Sequence, residues 1–313
     1  MNGSMTSDLR ALLIPPQEAT LRSRFGLNGV PLHLITSGWH RLVVAAPDRV
    51  FVFPRHQGEV PMLEREADVL SSLDLDFAPR LLGLYRDDGI SPYPFLATTR
   101  IAGRSYDAVA GSLTFNDTVT CLEGLGRRVA QWHHVAVPPR ITSRPAHLDV
   151  LRVSDAWTHP DAVLRTAHAA AESLTPHVGV VPAGVWAEAL IPIAALERTT
   201  VHGEVSDGQF MIDESLRVTG VVDWDGLHLG HPLEDLDFGV GGYRICRWEQ
   251  RWVEVRRRVW EAYVSERGVP LPEWRCVNLF WCLLDAMTLL HSNRGEARFA
   301  KALADLLEAT STL

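Results

Sequence analysis

Acidic and amide side chains that can serve metal-assisted chemistry are concentrated in residues 201–235. Glu204 is followed by Gln209, and Asp223 lies 14 residues beyond Gln209. Two oxygen ligands and one carboxylate base are the smallest set that magnesium-assisted phosphoryl transfer requires, because the metal neutralises the phosphates while the protein positions the nucleophile. The segment therefore predicts a site for this kind of chemistry.

A hairpin is predicted to hold these side chains. The apolar run FMI at 210–212 is followed by the charged turn DES and by the run LRVTGVV at 216–222, so two strands can face each other. Each strand carries polar groups at one end, and the hairpin can bring Glu204, Gln209 and Asp223 together. We expect Asp207 and Asp225, which are near in sequence, to be solvated turn residues, and either could supply a carboxylate if Glu204 does not.

The rest of the chain changes character near residues 98–103. Before this boundary, short apolar runs alternate with turns, and MLEREADVLSSL has Leu63, Ala67, Leu70 and Leu73 at helical spacing. After it, apolar residues recur every three or four positions over longer segments. The pattern predicts three strands between Pro31 and Arg55, the helix, a strand pair from RLLGLYR to PYPFLATTRI, and helices at 119–134, from 252, at 280–290 and at 299–307.

Composition limits the function further. The formal net charge is -8 and the pI is near 5.9, whereas binding to nucleic acid or to an anionic membrane needs a surplus of Lys and Arg, so neither partner is expected. No signal-peptide pattern and no run of 18 apolar residues occurs, which predicts a cytoplasmic protein. The four cysteines lack metal-site spacing and are expected to be reduced and buried. The run EVRRRVW around Arg256 is interpreted as a solvated basic face.

Several motifs, in order, resemble those of one family. VHGEVSDGQF, VVDWDG and GHPLEDLDF resemble the patterns H-G-D-x-x-x-x-N, I-D-W and G-D-P-x-x-D-L of the aminoglycoside phosphotransferase family. SGWHRLVVAAPDRVFVFPR, LEREADVLSSL and LGRRVAQWHHV resemble its glycine-loop hairpin, its helix with the paired glutamate, and the helix near the lobe junction. Together these motifs cover most of residues 30–240.

The resemblance implies an α+β, two-lobed protein-kinase-like fold with a small antiparallel N-lobe and a larger, mainly helical C-lobe. Residues 1–98 would form the nucleotide-binding lobe and residues 99–313 the helical lobe. Within the helical lobe, the catalytic hairpin would span 199–226 and the acceptor-binding helices 243–313. The oligomeric state stays open.

The resemblance also implies roles for individual residues. Glu204 would be the catalytic base, and Gln209 and Asp223 would bind Mg²⁺ beside ATP or GTP. Four residues are expected to bind the nucleotide or to face its phosphates: Gly38, Glu66, Thr98 and Arg100. His202 would be a structural residue of the catalytic loop, and Asp235 would tie that loop to the following helix through backbone N–H groups.

Three positions depart from the family pattern. Glu204 replaces Asp and Gln209 replaces Asn, so each side chain is one methylene longer, and misplacement by about 1 Å can cost on the order of a hundredfold in rate. Val52 stands where the family's strand has a Lys or Arg that pairs with the helix glutamate. Glu66 must therefore find Arg41, Arg55, His56 or solvent, because a buried carboxylate without a cation is costly.

Three functions are compatible with these residues. The first is transfer of a nucleotide γ-phosphate to a hydroxyl of a small molecule, such as an antibiotic or another natural product. The second is phosphorylation of Ser or Thr in a precursor peptide of a ribosomally made natural product. The third is a pseudokinase that binds or scaffolds without turnover, for which Val52 and the two lengthened side chains argue.

Overall fold

The computed structural model describes residues 15–35, 41–137, 141, 143–145, 160–179, 183–236, 251–290 and 296–313. These residues fall into two compact units. Unit 1 holds those within Met1–Ala102 and Gly220–Asp225, and unit 2 holds those within Gly103–Thr219 and Gly226–Leu313.

Unit 1 is built on a five-stranded antiparallel sheet with the order β1-β2-β3-β5-β4. All five strands were predicted from alternation and turn residues. Their bounds are β1 His33–Ile35, β2 Arg41–Ala45, β3 Arg49–Pro54, β4 Leu81–Asp87 and β5 Ser91–Thr99, and the unit also contains helices α1 Pro15–Phe25 and α2 Val60–Leu70.

One face of this sheet forms a hydrophobic core. Because side chains alternate between faces along a strand, Leu42 and Val44 of β2 lie on the same side as Phe51 and Phe53 of β3, and all four are buried. Helix α1, which the sequence had not predicted, covers this core with Leu21. The opposite face is left to the other side chains of β2 and β3, which include Arg41.

Helix α2 is shorter than predicted. It ends at Leu70, and Leu73 lies outside it. The hydroxyls of Ser71 and Ser72 donate hydrogen bonds to backbone carbonyls of the last turn, that of Asp68 at 2.8 Å and that of Val69 at 2.9 Å. Serines favour such helix ends because their side chains compete for backbone groups, a signal that apolar spacing alone does not carry.

Unit 2 is mainly helical in its described part. Its helices are α3 Tyr106–Ala110, α4 Phe115–Trp132, α5 Pro160–Val178, α6 Ala183–Ala194, α7 Trp252–Arg267, α8 Trp274–Leu290 and α9 Glu296–Ser311. Its strands are β6 Arg104–Ser105, β7 Thr199–Val201, β8 Phe210–Ile212, β9 Val218–Val221, whose last two residues belong to unit 1, and β10 His228–Gly230. Strands β6, β8 and β9 form one sheet, and β7 pairs with β10. The predicted hairpin is thus present as β8 and β9, whereas α5 and α6 were not predicted.

Helix α4 positions the elements around it. A capping box between Thr114 and Asp117 begins the helix, and its apolar stripe is buried as predicted. It packs closely against α7 because Gly126 has no side chain. A Cβ at this position would lie 2.9 Å from the backbone carbonyl oxygen of Val259.

The prediction that the run EVRRRVW in α7 forms a solvated basic face is wrong for one of its three arginines. Arg256 is buried, and its guanidinium binds Asp285 of α8 through two hydrogen bonds of 2.6 and 3.1 Å. The rings of Trp252 and Trp281 lie 5.2 and 5.5 Å from its Cζ. Arg257 and Arg258 are exposed as expected. The helix therefore turns one cation of the run inward, toward a carboxylate 29 residues away.

Replacement of Asp285 by Leu should destabilise the protein by about 3–5 kcal/mol, because it leaves a buried guanidinium without its carboxylate. Arg256→Met combined with Asp285→Leu should recover most of that loss, because an apolar pair of similar volume replaces the ion pair. Arg257→Met, at a side chain that is 57% exposed and paired with Glu261, should change the stability by less than about 0.5 kcal/mol. Urea unfolding of the four proteins measures all three values, and a double variant no more stable than Asp285→Leu contradicts the expectation.

The three cysteines in the described part of the chain, Cys121, Cys276 and Cys282, are buried free thiols. In that same part, none of the helices combines the length and the apolar character needed to cross a membrane.

Candidate active site

The side chain of Arg41 connects three carboxylates in unit 1. Its guanidinium forms ion pairs with Glu66 of α2 and with Asp225, and Nη1 lies 3.5 Å from Oδ1 of Asp223. Arg41, Glu66 and Asp225 are buried. Arg41 is thus the cation that Glu66 requires.

The two other candidate cations for Glu66, Arg55 and His56, lie beside Glu59. The backbone N–H of Arg55 donates to Glu59 at 2.6 Å, and Nε2 of His56 lies 3.4 Å from a carboxylate oxygen of Glu59. The side chain of His56 is largely exposed. Neither residue replaces Arg41 beside α2.

Opposite effects act on the two charges of this pair. Burial lowers the pKa of Arg41, but the charges of Glu66, Asp223 and Asp225 outweigh it and raise that pKa above its ordinary value. Burial raises the pKa of Glu66, and the guanidinium of Arg41 offsets part of this increase. Arg41 therefore stays charged at every physiological pH.

Asp223 lies in a turn whose backbone selects its residue type. Its φ is +70°, in the left-handed region that Asp and Asn tolerate better than most residues. The indole N–H of Trp224 donates to the carbonyl of Val221 at 2.8 Å and holds the turn. The side chain of Asp223 is 41% exposed. Its backbone is therefore held in place while its carboxylate stays accessible from solvent.

Asp225 corrects an expectation. It was predicted to be a solvated turn residue, but it is buried and paired with Arg41. Its backbone carbonyl also accepts a hydrogen bond of 2.8 Å from Nε of Arg65 in α2. The turn after Asp223 is therefore attached to the β-sheet through Arg41 and to α2 through Arg65.

In unit 2, Asp235 gathers four hydrogen-bond donors. Its carboxylate accepts from the backbone N–H of His202 at 2.7 Å and of Gly203 at 2.8 Å, and from the indole N–H of Trp132 at 2.7 Å. Nε2 of His133 lies 3.2 Å away. Gly203 has a φ of +86°, which a residue with a side chain rarely adopts. The loop before Glu204 is therefore held at two consecutive peptide groups.

These donors keep Asp235 charged. Burial alone would raise its pKa, but the hydrogen bond from His133, together with His202 and the N–H of Gly203, lowers it to about 2. Burial lowers the pKa of His133, so its ring is neutral at pH 7. Nε2 then donates to Asp235, and Nδ1 accepts from the hydroxyl of Tyr263 at 2.9 Å.

Glu204 and Gln209 belong to unit 2, and Asp223 belongs to unit 1. Glu204 is half-buried in the loop that follows Gly203. Gln209 is buried, and its backbone N–H donates to the carbonyl of Ser206 at 3.2 Å in a tight turn. The approach of Glu204 and Gln209 to Asp223 stays a prediction.

Of the expected nucleotide-binding residues of the first lobe, Thr98 and Arg100 differ in burial and in position. Gly38 lies outside the described residues. Thr98 is buried in β5, opposite Val50 of β3. Arg100 is exposed just after β5, and its Nη1 donates to the carbonyl of Ala46 at 3.0 Å. Their nucleotide-binding roles stay predictions.

Comparison with known families and structures decides the class of protein. The model of the phosphotransferase enzyme family, APH, matches residues 32–280. The chain belongs to the APH phosphotransferase family. A comparison of the sequence with curated proteins gives no significant match.

Solved structures of similar fold cover nearly the whole chain. A GDP complex of a variant of aminoglycoside 2′-phosphotransferase-IIIa is 16% identical, covers 94% of this chain and 96% of its own, and has a TM-score of 0.50. Macrolide 2′-phosphotransferase MphH from Brachybacterium faecium is 20% identical, covers 95% and 98%, and has a TM-score of 0.48. The predicted two-lobed, kinase-like α+β fold is confirmed.

The donor set of this APH protein suits a hard cation. Carboxylate and amide oxygens are the ligands that magnesium prefers, and magnesium usually takes only one or two of them beside phosphate oxygens and water. Asp223 has the required carboxylate and is accessible from solvent. The described residues contain no group of three or more His, Cys, Asp or Glu side chains that could hold a metal ion. The carboxylate of Asp223 fits one ligand position of magnesium, whose binding to this chain stays a prediction.

His231, in the motif GHP, acts as the cap of a short 3₁₀ turn. Nδ1 accepts from the backbone N–H of Leu233 at 3.2 Å, and Nε2 lies 3.1 Å from the carbonyl of Ile193. These partners fix the neutral ring with its proton on Nε2. Burial lowers its pKa to about 4, although the hydrogen bond to the carbonyl of Ile193 acts in the opposite direction.

The stability of this APH protein should depend on His231 between pH 6.5 and about 4. As the pH falls, the histidine of the unfolded chain takes up a proton before the folded one does. The contribution of neutral His231 to the free energy of unfolding is therefore complete above pH 6.5 and is lost as the pH falls toward 4. The loss is no more than about 1.4 kcal/mol per pH unit. His231→Asn keeps an acceptor at the cap but does not titrate. In urea unfolding, the stability advantage of the wild type over this variant should shrink from about pH 7 to about pH 5, and a constant difference contradicts the role.

Sequence reasoning missed the side-chain donors to Asp235, which are Trp132 and His133, and left Arg41 as one of several options. Trp132 ends the apolar stripe of α4, and such a residue is ordinarily a core side chain, so its indole N–H gave no separate signal. The motif LGRRVAQWHHV, which contains consecutive His residues, was the available signal for His133.

Proposed function

We propose that this protein transfers the γ-phosphate of ATP or GTP to a hydroxyl group of a small molecule, an antibiotic or another natural product. The observation that carries the proposal is the buried pair of Arg41 and Glu66, with Nη1 of Arg41 3.5 Å from Asp223. Phosphoryl transfer in kinase-like proteins requires a cation paired with the helix glutamate and an aspartate that binds the metal. The pseudokinase argument from Val52 loses its main support when another residue provides that cation.

Glu204 would receive the proton of the acceptor hydroxyl as the acceptor oxygen bonds to the γ-phosphorus and the nucleoside diphosphate leaves. Gln209 and Asp223 would hold Mg²⁺, which neutralises charge on the phosphates when it is bound. Residues 1–98 would bind the nucleotide, with contributions from Gly38, Thr98 and Arg100. The helical lobe would bind the acceptor with residues 243–313.

The hydrogen bonds around Asp235 support a positioned base. The backbone N–H groups of His202 and Gly203 both donate to its carboxylate, at 2.7 and 2.8 Å, and Glu204 is the next residue. A base one methylene longer than Asp needs a well-held backbone to reach the acceptor reproducibly. His202 is fully buried, so its side chain also helps to hold the loop before Glu204.

Charge favours a cationic or neutral acceptor. The chain carries a formal net charge of -8, which raises the local concentration of cations over anions. The similar structures include a streptomycin-ATP complex of APH(2″)-IIa and a macrolide 2′-phosphotransferase. We therefore place hydroxylated antibiotics first among acceptors, ahead of peptides.

The test is incubation of the full chain with ATP or GTP, Mg²⁺ and a panel of aminoglycosides, macrolides and other hydroxylated natural products. Mass spectrometry should find one acceptor heavier by one phosphoryl group, formed together with ADP or GDP. Glu204→Gln, which keeps the size of the side chain but removes the base, should lower this rate by about 10²–10⁴-fold.

Thermal shift with each nucleotide separates the other outcomes. Nucleotide binding without product from any small molecule, but with product from a precursor peptide, would assign the protein to peptide phosphorylation. Nucleotide binding without any product would indicate an inactive binding protein. No binding of either nucleotide with Mg²⁺ would refute the proposal as a whole.

A further inference from the structure

Strand β3 lacks the cation that kinase-like phosphoryl transfer uses. In such proteins a lysine on this strand pairs with the helix glutamate and with the nucleotide phosphates, but this chain has Val52 there. We infer that Arg41, on the neighbouring strand β2, binds the nucleotide phosphates in place of a β3 cation. This inference rests on the proposed function and concerns the same site.

The strand register explains how a cation can change strands. In the antiparallel pair of β2 and β3, Val43 faces Val52, and Arg41 faces Pro54. Residues two apart on a strand share a face, so Arg41 and Val52 are diagonal neighbours on the same side of the sheet, within reach of a long side chain. The guanidinium of Arg41 can therefore reach the region that the side chain of a lysine at position 52 would occupy.

The contacts of Arg41 are those expected of the relocated cation. It pairs with Glu66, the helix glutamate, and with Asp223, the predicted magnesium ligand. Because the guanidinium of Arg41 also contacts Asp223, it lies beside the carboxylate that we propose as a ligand of the phosphate-bound Mg²⁺. Only 8% of the residue is exposed, so its charge is weakly screened and acts strongly on a nearby anion.

Arginine is also better suited than lysine to bind phosphates from the neighbouring strand β2. A guanidinium has five N–H donors in a fixed plane, whereas a lysine ammonium has three. Arg41 donates to Glu66, Asp223 and Asp225 through Nη1 and Nη2. It can keep its bonds to Glu66 and Asp225 while it donates to a phosphate oxygen.

The experiment must separate phosphate binding from a purely structural ion pair. Calorimetric titration of the full chain with a nucleoside, its diphosphate and its triphosphate, all with Mg²⁺, measures how much the phosphates add to affinity. Arg41→Met should weaken triphosphate binding by about 10- to 100-fold and nucleoside binding by less than about twofold. Arg41→Lys keeps a charge for Glu66, protects folding, and should weaken triphosphate binding by about 3- to 10-fold.

Two further variants sharpen the result. Arg41→Met combined with Val52→Lys returns a cation to β3 and should regain at least about fivefold in triphosphate affinity over Arg41→Met. Arg86→Met is the matched control, because Arg86 on β4 pairs with Glu64 of the same helix α2 at 2.8 Å but is 70% exposed. This control should leave all three affinities unchanged.

Two results would overturn the inference and leave the proposed function standing: wild-type triphosphate affinity in Arg41→Lys, or equal weakening of nucleoside and triphosphate binding in the Arg41 variants. A wild-type protein that binds no nucleotide would overturn both. Circular dichroism of each variant shows whether it is folded, and if Arg41→Met is unfolded, Arg41→Lys decides the question.

Discussion

Replacement of Asp223 by Asn should lower phosphotransfer by more than about 100-fold, because the proposed magnesium site loses its charged ligand. The fold should survive the change. Asn tolerates a φ of +70°, and the side chain is 41% exposed, so the stability should change by less than about 1 kcal/mol. The rate as a function of Mg²⁺ concentration, together with urea unfolding, measures both effects.

A matched control uses the same substitution in the same hairpin. Asp213 caps the turn between β8 and β9, where its side chain accepts from the backbone N–H groups of Ser215 and Arg217 at 2.9 and 3.0 Å. Asn can accept the same hydrogen bonds, so Asp213→Asn should leave the rate within about twofold of the wild type. If Asp223→Asn keeps the wild-type rate and its magnesium dependence, Asp223 is not a metal ligand.

Replacement of Asp235 by Ala should destabilise the protein by at least about 4 kcal/mol. Each hydrogen bond to a charged group contributes about 1.5–3 kcal/mol, and a buried donor left without its acceptor adds a desolvation penalty. The orphaned donors would be the indole N–H of Trp132 and the backbone N–H groups of His202 and Gly203. Phosphotransfer should fall as well, because the peptide groups before Glu204 lose their anchor.

The pH dependence identifies the charge of Asp235 as the cause. Its folded pKa is lowered from 3.8 to about 2, so its stabilisation is complete above 3.8 and is lost as the pH falls toward 2. The stability difference between the wild type and Asp235→Ala should therefore shrink over this interval in urea unfolding. Asp305→Ala removes a surface pair with Lys301 and should cost less than about 0.5 kcal/mol. A cost for Asp235→Ala as small as this would contradict the anchoring role.

Local patterns predicted the elements that position the site. Alternation of apolar residues gave β2 and β3, and the charged turn DES gave the hairpin of β8 and β9, because strand faces and tight turns depend on neighbouring residues. The same local view failed for Asp225 and Arg256. Both were interpreted as solvated, yet each is buried against a partner far along the chain, Arg41 and Asp285 respectively. A residue's sequence neighbours do not reveal such a partner.

By itself, the sequence determined the order of the motifs, the strands and helices that carry them, and the absence of a cation at Val52. Only the tertiary structure decided which cation pairs with Glu66. The physical reason is the register of β2 against β3, which places Arg41 on the face shared with Val52, together with the packing that leaves Glu66 of α2 buried against it. Neither the strand register nor the face that a helix buries is specified by residues within one segment, so the partner of Glu66 emerges only when the sheet and the helix are assembled.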